Sequence, residues 1–395
     1  MRSYRCYRTS RCVECGFCEK LVDCPAGFSQ DQCFGCMACY YACPNSAISY
    51  EEVEVGYCRI SVDGAEVEAP TGVPLKKALE ALGFTLGSGL DGFCETGGCY
   101  SCLVKADGRY VRACMTPVRE GMVVELAERP LLRIVSEPQG HSVGGVGTPY
   151  WVKGRGWAVE VAIWAAGCNL RCPQCQNYHI TYDSKSRPST PREAARAVTE
   201  ARRYYGVDRM AISGGEPTLN FMWLLEYFRE LRRMNPDPEA RIHLDTNATI
   251  LSRKHIDLLV EAGMTDIGPD LKGARVETFM EITGVRDAEL ARRYLENSWS
   301  TVKYVVDEYQ EKVFIGVGVP YNPAFMSLDE LAEIGDKLAS IDPGMQVCIL
   351  DYYPTFKRRS LRRPSVREMR KAREVLKSRG LTTVLAQTPA GHIGP

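Results

Sequence analysis

From Trp157 onward, short apolar runs alternate with helical stretches such as 191–205 and 328–339. Strands that alternate with helices in this way form parallel βαβ units. About six such units are expected, and the apolar runs that predict their strands are 159–165, 210–213, 242–244, 265–267, 313–319 and 347–350. The second half of the chain is therefore predicted to be an α/β domain, with its chemistry at the carboxyl ends of the strands.

Residues 53–130 have a different pattern. The runs 59–62 and 65–68 flank Asp63-Gly64, which is a strong signal for a β-hairpin. Pro74 then begins a helical stretch with its apolar residues on one face. This order predicts a small separate domain.

Residues 131–156 lack periodicity and are rich in glycine and other breakers, as in Gly144-Gly145-Val146-Gly147. We therefore expect a linker there. A chain of 395 residues is long for one domain. The predicted division is 1–52, 53–130, the linker 131–156, and 157–395.

Eighteen cysteines are the unusual feature of the composition. A disulfide scaffold would be short, whereas most of these cysteines fall in close triplets, which favours metal binding. Cys6, Cys58 and Cys348 stand alone and are expected to be small buried side chains.

The central triplet is Cys168-x-x-x-Cys172-x-x-Cys175, directly after the first apolar run of the α/β domain. A cubane iron–sulfur cluster usually takes four cysteines, so three leave one iron open. An open coordination position is what a catalytic metal site keeps for its substrate. The alternative is a structural zinc loop with a fourth ligand such as His179.

This triplet resembles the cluster motif of the radical S-adenosylmethionine (SAM) superfamily. The resemblance implies a partial (β/α)6 barrel of the TIM type, in which the open iron of a [4Fe–4S] cluster binds the methionine end of SAM. It also implies that Asn177 contacts the ribose. The loop after the second strand would meet the amino group of SAM, and its residues are Gly214, Gly215, Glu216 and Pro217.

The segments 243–248 and 268–273 resemble those of the activating enzymes of glycyl radical enzymes, such as pyruvate formate-lyase activating enzyme. By this resemblance a monovalent cation beside the SAM carboxylate would be held by Asp245, Thr246, Asp270 and the carbonyl of Gly268. Lys272 would lie near the cofactor or the substrate. The alternative is that Asp245 and Lys272 form a structural ion pair at the barrel mouth.

Residues 12–43 carry two further cysteine motifs, the second of which resembles a bacterial-type ferredoxin run. The resemblance implies a small α+β module with two [4Fe–4S] clusters and crossed ligands. One set would be Cys12, Cys15, Cys18 and Cys43, and the other would be Cys24, Cys33, Cys36 and Cys39. A pair of zinc ribbons is the alternative.

The spacing Cys94-x4-Cys99-x2-Cys102, with Cys114 after a hairpin that turns at Asp107-Gly108, is that of a plant-type [2Fe–2S] site. The segment resembles β-grasp ferredoxins and the small iron–sulfur domains of molybdenum hydroxylases. Glycines suit a loop whose amides turn toward cluster sulfurs, and this loop contains Gly89, Gly92, Gly97 and Gly98.

Together these resemblances imply an anaerobic enzyme that reductively cleaves SAM to methionine and a 5′-deoxyadenosyl radical for hydrogen-atom abstraction. An external low-potential donor would supply electrons through the front clusters. The expected substrate is a glycyl radical protein, and the alternatives are another peptide, a cofactor or a metabolite. Two further hypotheses are an electron-transfer protein with an inactive barrel and front clusters that bind the substrate.

The remaining properties limit the partners. The formal net charge is zero, which gives no electrostatic footprint for DNA or acidic membranes. No apolar run approaches the ~18 residues of a membrane-spanning helix, and residues 1–11 precede no apolar signal core. We therefore expect a cytoplasmic protein. One basic run, 356–363, is expected to be a solvated surface or a site for an acidic partner or a phosphate.

Overall fold

The computed structural model describes residues 2–86, 92–127, 129–153 and 157–395. Gly89 lies outside these ranges. The first module is closed by a two-stranded antiparallel sheet in which Ser3 pairs with Val53 and Arg8 with Ile48. Both N-terminal cysteine motifs therefore lie in one lobe between the strands. Its elements are β1 (Ser3–Arg8), α1 (Phe17–Leu21), α2 (Ala38–Ala42) and β2 (Ile48–Val53).

The second module is a five-stranded mixed sheet of order β4-β3-β7-β5-β6, with β3 and β7 parallel. Both predicted hairpins and the helix that Pro74 begins are present. The elements are β3 (Tyr57–Val62), β4 (Ala65–Pro70), α3 (Leu75–Ala81), β5 (Leu103–Ala106), β6 (Arg109–Arg112) and β7 (Val123–Glu125). This is the order of a β-grasp domain.

The segment 131–156, which was predicted to be a linker, contains regular structure. It contributes β8 (Leu132–Arg133) and β9 (Gln139–His141), and β9 joins the edge of the large sheet beside the first barrel strand. Residues 144–148 then enter the barrel. These strands gave no signal in the sequence because contacts with other strands hold the segment, and such contacts leave no local periodicity.

The third module is built on a nine-stranded sheet of order β18-β17-β16-β15-β14-β13-β12-β10-β9. Seven neighbouring strands, from β10 to β17, run parallel. The bounds are β10 (Glu160–Ala165), α4 (Tyr178–Thr181), β11 (Pro188–Ser189), α5 (Pro191–Tyr205), β12 (Arg209–Gly214), α6 (Phe221–Met234), β13 (Arg241–Thr246), α7 (Arg253–Glu261), β14 (Asp266–Pro269), α8 (Val276–Thr283), α9 (Ala288–Tyr309), β15 (Phe314–Tyr321), α10 (Leu328–Ile341), β16 (Gln346–Asp351), α11 (Val366–Ser378), β17 (Val384–Thr388) and β18 (Gly391–Ile393).

The six predicted strands are present, each within two residues of its expected ends. The sequence pattern missed β17, which adds a seventh parallel strand, and the hairpin to β18 that closes this edge. Local signals fix the helices well. Helix α5, for example, begins with the capping box of Thr190 and Glu193 and ends at Gly206, whose φ of 63° suits glycine.

The apolar core of the barrel includes two cysteines of the [2Fe–2S] motif, Cys94 and Cys99, whereas Cys102 and Cys114 belong to the core of the second module. The cysteine loop of the second module is therefore shared between the two domains. Within the described ranges, no helix is long and apolar enough to cross a membrane.

Candidate active site and iron–sulfur centres

The loop after β10 brings Cys168, Cys172 and Cys175 to one cavity of about 270 Å³ at the carboxyl ends of the strands. Arg171 fixes the loop, because its guanidinium donates to the carbonyl oxygens of Cys168 (2.6 Å) and Leu170 (3.0 Å). Burial raises the pKa of Cys168 and Cys172 to about 12 and that of Cys175 to about 11. Metal binding at such thiols must release protons.

Most of the predicted SAM-binding residues line the same cavity, and they are Asn177, Gly214, Gly215, Asp245, Thr246, Gly268, Asp270 and Lys272. Asn177 Nδ2 donates to the Gly214 carbonyl at 3.1 Å. A Cβ at Gly215 would lie 2.0 Å from the carbonyl oxygen of Gly167, so only glycine allows these two loops to meet.

Glu216 and Pro217 are not among the residues that line this cavity. The Glu216 carboxylate is fully buried and accepts hydrogen bonds from the Thr218 amide (3.1 Å), the Thr246 hydroxyl (2.8 Å) and the Asn247 amide (2.7 Å). Its burial raises its pKa. Through these hydrogen bonds Glu216 ties the loop after β12 to the loop after β13.

The charged residues of the cavity pair differently from the predicted structural ion pair. Lys272 Nζ lies 3.1 Å from Asp270 Oδ2, and Asp245 Oδ1 lies 3.1 Å from His243 Nε2. The alternative pairing of Asp245 with Lys272 is therefore wrong. Burial lowers the pKa of Lys272, but Asp270 outweighs this effect and raises it well above its usual value.

The donor set of the cavity fits SAM. The Asp245 carboxylate lines the cavity and, although its Oδ1 lies 3.1 Å from His243 Nε2, it brings negative charge that suits a cation or an ammonium group. Lys272 offers a positive charge, and the glycines expose backbone amides and carbonyls. By contrast, His179, the alternative zinc ligand, is exposed and is not among the lining residues. Within the described ranges, no group of three His, Cys, Asp or Glu side chains is arranged to hold a single metal ion.

The interior of the barrel is filled by residues 144–148, which we call the plug. Gly144, Gly145 and Val146 form part of the wall of the SAM cavity. Gln346 Nε2 donates to the carbonyls of Val146 (3.1 Å) and Thr148 (2.9 Å). The plug leaves a short cavity around the cysteine loop.

One buried carboxylate anchors the plug. Glu160 accepts from the Gly145 amide (2.9 Å), the Thr148 hydroxyl (2.8 Å), and the Nδ1 atoms of His141 (2.9 Å) and His243 (3.2 Å). Burial alone would raise the pKa of Glu160, but the two histidines hold it well below its usual range.

Sequence reasoning missed the plug, although one signal pointed to it. Gly316 and Gly318 of β15 leave the barrel interior without side chains. A Cβ at Gly316 would lie 2.3 Å from the Val146 carbonyl oxygen, and one at Gly318 would lie 3.1 Å from the Val146 side chain. Two glycines at alternating positions of an interior strand indicate close approach of another segment.

The four cysteines of the [2Fe–2S] motif are buried and close together. The amide of Cys99 donates to Cys94 Sγ at 3.4 Å, and that of Cys114 donates to Cys102 Sγ at 3.4 Å. Amides that point at the sulfurs suit a bound cluster. The residues present therefore fit a [2Fe–2S] centre.

This loop packs directly on the central cysteine loop of the barrel. A Cβ at Gly98 would lie 2.6 Å from the Gly167 amide nitrogen, and one at Gly167 would lie 3.1 Å from Cys94 Sγ. Arg171 links the loops further, since it donates to the carbonyls of both Cys94 (2.8 Å) and Cys168. The two cysteine sites are thus neighbours in space.

The N-terminal cysteines separate into the two expected groups. One cavity of about 250 Å³ is lined by Cys12, Cys15, Cys18 and Cys43. The other four lie close enough to influence one another's pKa: burial, together with the nearby thiols of Cys39, Cys24 and Cys33, raises the pKa of Cys36 to about 12. The arrangement fits two clusters with crossed ligands.

The three single cysteines are buried, as expected. Cys58 lies in β3 and Cys348 in β16. Cys6 also packs in the first module, where its amide donates to Cys33 Sγ at 3.3 Å and its thiol lies 3.6 Å from the Met37 sulfur.

Comparison with protein families assigns these sites to known domain types. Residues 163–332 match the Radical SAM superfamily, residues 58–129 match a 2Fe-2S iron-sulfur cluster binding domain, and residues 26–49 match a 4Fe-4S binding domain. The barrel therefore belongs to the radical SAM superfamily and carries ferredoxin-type iron–sulfur domains in front of it.

Two curated relatives illustrate the range of functions. The chain is 31% identical over 131 residues to a probable GTP 3′,8-cyclase of Methanococcus aeolicus, covering 33% of this chain and 42% of that protein. It is 29% identical over 140 residues to an Fe-coproporphyrin III synthase of Methanosarcina barkeri, covering 35% and 33%. The chain thus spans less than half the length of either relative.

Among solved structures, SuiB of Streptococcus suis bound to S-adenosylmethionine has a TM-score of 0.43 and 16% identity, covering 55% of this chain and 48% of that one. A structure of native anSMEcpe with bound AdoMet has a TM-score of 0.40 and 16% identity, covering 55% and 61%.

Proposed function

We propose that this protein is a radical SAM enzyme that cleaves SAM reductively and uses the resulting radical on a small metabolite or a cofactor. The observation that carries the proposal is the single cavity in which Cys168, Cys172 and Cys175 face Gly215, Asp245 and Lys272. When bound, the [4Fe–4S] cluster and SAM supply an electron and a 5′-deoxyadenosyl radical.

The residues of the chain position SAM and limit access to the reaction. The Asp245 carboxylate offers negative charge to the ammonium of SAM or to a monovalent cation. Asn177 stands beside Gly214 for the ribose, and Lys272 balances carboxylate charge while Asp270 holds it in place. The plug closes the cavity on its inner side and keeps water from that direction.

The curated relatives favour a small substrate. The cyclase and the synthase among the relatives are named for small-molecule products. Neither is an activating enzyme, so activation of a glycyl radical protein, which the sequence resemblance suggested, now ranks as the second candidate.

The front clusters would serve as the electron supply. The contact of the Cys94–Cys102 loop with Gly167 supports this role, because electron transfer requires neighbouring centres. The same proposal includes the crossed ligand sets of the two [4Fe–4S] clusters and the ligand set of the [2Fe–2S] centre. It also includes the domain limits near residues 52, 130 and 156.

The test is anaerobic reconstitution with iron and sulfide, reduction, and measurement of 5′-deoxyadenosine from SAM. We expect product from the wild type and none from Cys172→Ala. The matched control is Cys348→Ala, which removes a buried cysteine outside the cavity and should retain activity. Full iron content without product in the wild type would contradict the proposal and favour an electron-transfer protein. With active enzyme, transfer of deuterium from candidate substrates into 5′-deoxyadenosine distinguishes a metabolite from a glycyl radical protein.

A further inference from the structure

A second and larger cavity lies between the three modules. This cleft has a volume of about 1020 Å³, near the upper limit for sites that enclose a small ligand. Arg171 and Pro173 line it, whereas Leu170 and Cys172 line the SAM cavity. The central cysteine loop therefore separates the two cavities, and the cleft is not part of the site described above.

The lining of the cleft has more positive than negative side chains, since six lysines and arginines face four carboxylates, Glu95, Glu277, Glu281 and Asp287. Two of its cations are paired, Lys76 with Glu95 and Arg358 with Glu281. In the part of the chain that the structure describes, four others line the cleft without a carboxylate at ion-pair distance, and they are Lys77, Arg171, Arg286 and Lys357.

Lys357 and Arg286 meet around one tyrosine. Lys357 Nζ lies 3.5 Å from the Tyr40 carbonyl oxygen, and Arg286 Nη2 lies 3.4 Å from the Tyr40 hydroxyl oxygen. Burial, with the charges of Arg171 and Arg286, lowers the pKa of Lys357 to about 8. An anion between the two side chains would remove this mutual repulsion.

The cleft is also lined by a cluster of tyrosines that includes Tyr40. Tyr40 packs edge-to-face with Tyr41 (5.4 Å between centroids) and with Tyr50 (5.3 Å), and Tyr50 packs in the same way with Tyr4 (5.0 Å). Rings that are rimmed by cations accept a planar ligand with a negative group.

We propose that this cleft binds a ligand that combines an aromatic ring with a phosphate group, as a nucleotide does. Its phosphate would bind Lys357 and Arg286, and its ring would pack against the tyrosines. Cys36 and Cys114 also line the cleft, so the ligand would lie beside one cysteine of each of two candidate clusters.

Two kinds of ligand have this chemistry. One is a flavin nucleotide, which is redox-active, and the other is a nucleotide without redox activity. The experiment is anaerobic equilibrium dialysis of the cluster-loaded protein against FMN, ADP, riboflavin and adenosine. We expect FMN or ADP to bind with a Kd below about 0.1 mM. Riboflavin should bind at least about tenfold more weakly than FMN, or adenosine more weakly than ADP, because charge-assisted contacts to phosphate are lost. Binding of FMN would identify a flavin nucleotide as the ligand, and binding of ADP a nucleotide without redox activity.

Variants locate the site. Lys357→Ala and Arg286→Ala should each weaken binding by about tenfold or more. Arg362→Ala is the matched control, because Arg362 belongs to the same basic run but pairs with Glu368 outside the cleft, and it should bind as the wild type does. Iron content equal to that of the wild type shows that each variant is folded.

Three results would overturn the inference: no binding of either nucleotide at 1 mM, equal binding of the phosphate-free counterpart, or unchanged binding by both cleft variants. The proposal does not depend on SAM cleavage. Nucleotide binding without formation of 5′-deoxyadenosine would contradict only the proposed function. Formation of 5′-deoxyadenosine without nucleotide binding would contradict only the proposed nucleotide site in the cleft.

Discussion

Replacement of Glu160 by glutamine tests whether the plug is held by its buried carboxylate. Glu160→Gln keeps the shape of the side chain but turns one acceptor oxygen into an NH₂ donor. The negative charge that holds both histidines would be lost, and the hydrogen bonds on the amide side would persist only if their present donors became acceptors. Hydrogen bonds to a charged group contribute about 1.5–3 kcal/mol each. We therefore expect the free energy of unfolding to fall by about 3–5 kcal/mol, the cost typical of breaking a buried ionic network.

Urea unfolding of the cluster-loaded protein, followed by tryptophan fluorescence, measures this loss. All five tryptophans lie between positions 151 and 299, so the signal reports on the barrel and the plug. Thr148→Val removes one donor to the same carboxylate and should cost about 1.5–3 kcal/mol. Glu296→Gln, the same change at an exposed position of α9, should cost less than about 0.5 kcal/mol. A loss below about 1 kcal/mol for Glu160→Gln would refute the reasoning.

The pH dependence of the free energy of unfolding gives an independent check on the network around Glu160. Burial lowers the pKa of His243, but Asp245 and Glu160 outweigh it and raise the pKa to about 9. Because the folded-state pKa lies above the usual 6.5, this stabilisation is complete below pH 6.5 and is lost as the pH rises through 9. The loss is roughly 3 kcal/mol at most. His243→Gln should flatten the profile between these values, and an equal slope in the variant would contradict the assignment.

Three further changes test the cavities. Gly215→Ala places a Cβ against the Gly167 carbonyl and should weaken SAM binding at least about tenfold in equilibrium dialysis, so unchanged affinity would argue against the close packing of the loops. Lys272→Met leaves the Asp270 carboxylate unpaired and should lower the free energy of unfolding by about 3 kcal/mol. Adding Asp270→Asn to Lys272→Met should restore most of the lost free energy of unfolding, and no recovery would disprove the ion pair of Lys272 with Asp270. Cys43→Ala should remove one [4Fe–4S] cluster by iron analysis and leave the [2Fe–2S] electron paramagnetic resonance signal intact, whereas full iron content would contradict the crossed ligand set.

The sequence by itself determined the cysteine motifs and most of the elements. The candidate cluster ligands Cys168, Cys172 and Cys175 lie within one short loop, so their spacing is a local property that the chain shows directly. The strands and helices also follow local rules, as Thr190 and the hairpin at Asp63-Gly64 show. These features predicted the three modules and the position of the cavity at the strand ends.

The tertiary structure alone decided which of these residues work together. Glu216 was expected in the cavity, but the loop after β13 uses its carboxylate. Segment 144–148 was predicted to belong to a linker because it is rich in glycine and shows no hydrophobic periodicity. Its partners Glu160 and Gln346 lie in two different strands, β10 and β16. The contact between Gly98 and Gly167 and the cleft around Tyr40 join separate modules. Such contacts depend on shape and charge in three dimensions, which no local spacing encodes.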